Sequence, residues 1–168
     1  MNRLILTLIT ASALIFGVFL PSEEAVAQIA AKDLVGTWTL VSITFEQGGK
    51  EVDYYGSDPQ GQAIFDPNGR FSMIITRSDL PKFAYNNREE GTAEENKTIV
   101  QGSIAIFGTY SVSETDKAIT LHIEGSTFPN WKGVDHKRPF KLSGDQLSWT
   151  NPTPSRRGAA QLVWKRAQ

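Results

Sequence analysis

Between Gly36 and Arg166 the chain is cut into about eight short runs of β-branched, aromatic and aliphatic residues, each bounded by turn formers. No feature constrains the fold more. Short runs with period-two alternation bury one face of a sheet, and turn signals every ten residues or so describe an all-β sandwich or barrel. The runs are 36–45, 62–65, 71–76, 105–112, 118–124, 137–142, 146–150 and 160–166. Gln47-Gly48-Gly49-Lys50, Asp66-Pro67-Asn68-Gly69 and Ser143-Gly144-Asp145 separate them as tight turns, and Asn-Gly in particular accepts the positive φ of a hairpin. Sequential strands joined this way favour closure, because a closed sheet has no exposed edges. The expectation is an eight-stranded antiparallel up-and-down barrel, just wide enough to enclose one small ligand.

One stretch interrupts the rhythm. Thr92 is followed three residues later by Glu95, a capping-box pattern that predicts a short inserted helix over about 92–104. Ala93, Ile99, Val100 and Ile104 are its candidate apolar face.

Residues 1–27 read as a secretory signal peptide rather than as fold. Arg3 supplies the positive start, Leu4 to Leu20 is uncharged and apolar, Pro21 breaks the helix, and Ala25-Val26-Ala27 is a small-x-small cleavage site before Gln28. The alternative is a retained membrane anchor, for which an apolar run of this length is short. Cleavage leaves no stable membrane anchor and implies a bacterial exported protein, periplasmic or secreted.

The chain has no cysteine, so disulfides, thiolate metal sites and cysteine nucleophiles are excluded, as is lipid anchoring through a cysteine. A net charge of −1 provides no basic field for nucleic acid. The two histidines, His122 and His136, are fourteen positions apart, which matches no metal-ligand spacing. No Gly-x-Ser-x-Gly elbow and no phosphate-cradling glycine loop is present. No metal or cofactor is therefore expected.

The segment Leu34-Val35-Gly36-Thr37-Trp38-Thr39-Leu40-Val41-Ser42 resembles the opening of bacterial and fungal lipocalin-like domains. Phe107-Gly108-Thr109-Tyr110, the run Leu121 to Gly133 and the run Arg138 to Leu147 extend the resemblance in order and spacing over residues 34–166. It implies a small calycin-type barrel with a central cavity, and no catalytic residue set. It also implies that Trp38 lies at the closed end under a basic side chain of the last strand, Arg166 or Lys165.

The leading functional expectation is binding of a small apolar or amphipathic molecule inside the barrel. Candidate ligand residues are His122, Arg138 and Tyr110 on strands, with the loop aromatics Tyr54, Tyr55, Phe83, Phe128 and Trp131. The aromatics either line a mouth or plug one end. An inward Arg138 suits a carboxylate, since its planar fork pairs both oxygens, and an outward one forms a rim salt bridge. His122 and Glu124 lie two apart and share a face, opposite Ile119, Leu121 and Ile123. If that face is inward they form an acid–base pair, and an isomerase, cyclase or hydratase using His122, Glu124 and Arg138 is the rival reading. His136, in a polar loop next to Asp135, Lys137 and Arg138, is expected at the solvent. A filled barrel serving as an interaction module is the third possibility.

Overall fold

A computed structural model describes residues 31–168, so the signal-peptide reading of 1–27 lies outside the described residues. A helical turn over 31–34 leads into nine strands: β1 (Gly36–Gln47), β2 (Lys50–Val52), β3 (Gln60–Phe65), β4 (Arg70–Thr76), β5 (Ser103–Ser113), β6 (Ala118–Ser126), β7 (Asp135–Ser143), β8 (Gln146–Asn151) and β9 (Ala160–Arg166). Every neighbouring pair is antiparallel, and β1 pairs with β9 from Trp38↔Arg166 to Phe45↔Ala160. That seam closes an eight-stranded barrel. The ninth strand, β2, is three residues folded back onto the end of β1, where sequence patterning indicated only a loop after the Gly48-Gly49 turn.

Alternation sets which wall each residue joins. Ile119, Leu121 and Ile123 face inward from β6, Phe71, Met73 and Ile75 from β4, and Leu162 and Trp164 from β9. In β1 the parity changes: Trp38 and Leu40 are inside, and so are Ile43 and Phe45. A bulge between Leu40 and Ser42 in the pairing with β9 inserts the extra residue, leaving Val41 exposed. A second bulge, opposite Phe107 and Gly108, places the extra residue Glu124 in β6 and bends that strand against β5. There a Cβ on Gly108 would sit 1.9 Å from the carbonyl oxygen of His122, so only glycine permits the approach.

The inserted helix α1 (Ala93–Gly102) carries the expected capping box: Thr92 Oγ1 accepts from the Glu95 amide at 3.2 Å, and the Glu95 carboxylate accepts from the Thr92 amide at 2.8 Å. Its apolar face differs from expectation. Ala93 and Val100 are exposed, and Ile104 belongs to β5, where it points into the barrel. The helix is therefore held by its cap and by its junction with β5 rather than by an apolar stripe. Among the described residues, no helix is long and apolar enough to cross a membrane.

Candidate ligand site at the loop-covered end

The two ends of the barrel are built differently. One collects the tight turns after β3, β5 and β7, with the start of β1 and the end of β9. Gly36 enters there at φ +126, and a Cβ on it would stand 3.2 Å from Nη1 of Arg166. Two residues on, Trp38 is fully buried and its indole N–H donates to the Leu34 carbonyl at 2.8 Å. The Arg166 guanidinium lies 4.3 Å from the Trp38 ring centroid and donates to the carbonyls of Val35 and Asp33. The expected basic lid on Trp38 is thus Arg166. Above this floor Phe65, Phe71, Trp149 and Trp164 fill the lower barrel, with Phe65 in edge contact with Trp149 at 6.2 Å and Trp149 tilted on Trp164 at 5.1 Å. Tyr110 belongs here too: its ring meets Phe65 at 5.0 Å and its hydroxyl donates to the Asp66 carbonyl at 3.1 Å.

The opposite end gathers the long connections: the β2–β3 loop, the α1 insert, the β6–β7 loop and the β8–β9 loop. Beneath them the wall is apolar, with Ile43, Ile75, Ile104 and Leu162, and it is roofed by Tyr55, Trp131, Pro154 and Ser155. The free volume is about 30 Å³, room for water but far below the roughly 300 Å³ of a usual small-molecule site. The roof is tied by Arg156. Its guanidinium stacks over Tyr54 at 4.8 Å and Tyr55 at 5.6 Å, and it donates to the carbonyl of Gln101 at the end of α1. Burial pushes the Tyr55 hydroxyl above its ordinary pKa, partly offset by Arg156.

Into this space β7 sends Arg138. It is 1% exposed, and among the described residues none of its three guanidinium nitrogens has a hydrogen-bond partner. The Trp149 ring lies 5.6 Å from its Cζ. Burial lowers the Arg138 pKa to about 9, so the group remains cationic at neutral pH. Two residues earlier on the same face, His136 is 3% exposed, in edge contact with Trp131 at 4.8 Å, and its Nδ1 is unpaired. Burial, then the charge of Arg138, holds its pKa below 6.5. The expectation that His136 sits at the solvent is corrected. The signal for it lay in β7: His136 and Arg138 share parity with Phe140 and Leu142, which turn toward the core.

The other candidates fall outside this space. His122 is on the outer wall, its side chain half exposed, with Nδ1 2.6 Å from Asp135. Glu124 is also outside, paired with Arg70 at 2.8 Å. Neither lines the space that Arg138 enters, so the particular acid–base pair of His122 and Glu124 is not assembled there. Phe83 is half-buried in the insert against Gly91. Phe128 packs edge-on to Trp131 at 5.5 Å, and Tyr54 edge-on to Phe45 at 5.2 Å, both supporting the roof. Asn151, which the sequence did not single out, lines the pocket and is 4% exposed. Among the described residues no cluster of three or more His, Cys, Asp or Glu is placed to hold a metal.

A closed eight-stranded up-and-down barrel, floored by a tryptophan under an arginine and roofed by loops, defines a lipocalin-like protein. The chain belongs to the lipocalin-like domain family, whose model matches residues 35–167. Among solved structures it is similar to a lipocalin-like protein from Bacteroides uniformis, at 18% identity over 80% of this chain and 99% of that chain, with a TM-score of 0.43. No curated protein matches the sequence.

Proposed function

We propose that this is an exported binding protein that takes a small amphipathic molecule into the loop-covered end of its barrel. The observation that carries the reading is the contrast in closure. The floor is locked by a buried tryptophan and several hydrogen bonds, whereas the roof over an apolar interior is a few loop side chains gathered by one arginine. The available volume of about 30 Å³ means that a ligand enters by displacing Tyr55, Pro154 and Ser155. Native mass spectrometry of the purified protein after exposure to a lipid and metabolite extract tests this. One retained species per barrel is expected; persistent absence of any bound species overturns the reading. Export is supported by the pattern of residues 1–27. A mature chain starting at Gln28 is expected, and one starting at Met1 overturns it.

A second reading, a filled barrel used as an interaction module, has one observation in its favour. Ile64, Ile74 and Phe107 are exposed together on the outer wall, along a groove of about 470 Å³ across β3, β4 and β5.

A further inference from the structure

We propose that the polar end of the ligand is a single carboxylate seated on Arg138, and that the ligand is therefore an apolar monocarboxylate entering head first. The inference rests on the binding reading above and names its chemical class. A guanidinium withdrawn from water without an acceptor is among the most expensive arrangements in a core, and a chain keeps one where a partner arrives from outside. Here all three nitrogens of Arg138 are buried and unpaired. The pocket lining contains no aspartate or glutamate to answer them. Asp135, the nearest acid in sequence, is committed to His122 on the outer wall.

The aromatic neighbour of Arg138 adds a donor rather than an acceptor. The indole N–H of Trp149, whose ring lies 5.6 Å from the Arg138 Cζ, is buried and, among the described residues, also lacks a partner. Such an environment is completed by an anion. One charge is the right number. Arg156, the other guanidinium at this end, is engaged with two tyrosine rings and the Gln101 carbonyl, so a dianionic phosphate would carry an uncompensated charge into the core. A carboxylate presents two coplanar oxygens to the guanidinium fork. Its hydrocarbon continues along Ile43, Ile75 and Leu162 and leaves through the roof beside Tyr55.

Calorimetric titration of the native protein with decanoate, decanol and decyl phosphate tests this, repeated on Arg138→Gln and Arg138→Lys. Charge-assisted hydrogen bonds of this kind predict that decanoate binds at least ~10-fold more tightly than decanol. Decyl phosphate is expected to be weaker than decanoate. Arg138→Gln erases the preference while leaving decanol binding in place, and Arg138→Lys restores part of it. Retained decanol binding also reports that each variant is folded. Equal binding of decanoate and decanol by the native protein overturns the carboxylate assignment and leaves a container without charge selection. Tighter binding of decyl phosphate overturns it in favour of a dianion. Binding of none of the three, with no species retained in native mass spectrometry, overturns the container reading and the assignment with it.

Discussion

The floor and the roof of this barrel each carry an arginine against aromatic rings, yet they bear on stability in opposite ways. At the floor, Arg166 lies over Trp38 and spends its N–H groups on the carbonyls of Val35 and Asp33. Charge, ring and backbone are all satisfied. Toward the roof, Arg138 lies near Trp149 with nothing among the described residues to accept its protons. The pair teaches that a buried arginine is not by itself a stabilising feature. What decides is whether the protein supplies the acceptors.

That contrast can be broken most directly at Trp38. Trp38→Ala removes the largest side chain of the floor and its bond to Leu34. A loss of about 3–5 kcal/mol in urea unfolding is expected; a loss near zero would mean that the floor does not anchor the barrel. Arg138→Met should act in the other direction. Replacing an unpaired buried cation by an apolar chain of similar length is expected to raise unfolding free energy by about 1–4 kcal/mol. A destabilised variant would show that the native protein already satisfies Arg138.

His136 sharpens the same point through pH. Its folded pKa lies below 6.5, mainly because of burial. As pH falls through the ordinary histidine range the unfolded chain takes up a proton that the folded one resists, so stability falls toward acid. In urea unfolding between pH 7.5 and 5.5, His136→Phe should lose up to ~1.4 kcal/mol less per pH unit than the native protein. Identical slopes would remove the imidazole from the account. The smallest effect is expected at the roof tie. Arg156→Ala should change stability by less than about 1 kcal/mol, the scale of an exposed cation–π contact. It should nevertheless speed amide hydrogen exchange around Tyr54 and Tyr55. Unchanged exchange there would mean that Arg156 does not hold the roof.

Much of the architecture was readable because alternation is a local signal. The eight barrel strands and the capped helix follow from short windows of residues, and the inward row of β6 from three aliphatics in step. The bulge at Leu40/Ser42 was not readable, since the two halves of β1 each alternate and only pairing with β9 reveals the switch. β2 was missed because three residues carry no period. The site was half readable. Arg138 was named from its chemistry, and parity with Phe140 and Leu142 would have placed it. The charges around His136 suggest solvent, although Asp135 and Lys137 belong to the opposite face of the strand and Arg138 is itself buried. His122 has the proton chemistry of a catalytic group, but Ile119, Leu121 and Ile123, of opposite parity, occupy the interior.

The seam between β1 and β9 has a consequence in time. It joins Trp38 to Arg166, almost the full span of the domain, and no earlier strand can substitute for that partner. A nascent chain still missing its last strand has an open sheet with a free edge and no lid on its tryptophan. Cooperative closure therefore waits until β9 has been made, and contacts of such long sequence separation make that step slow.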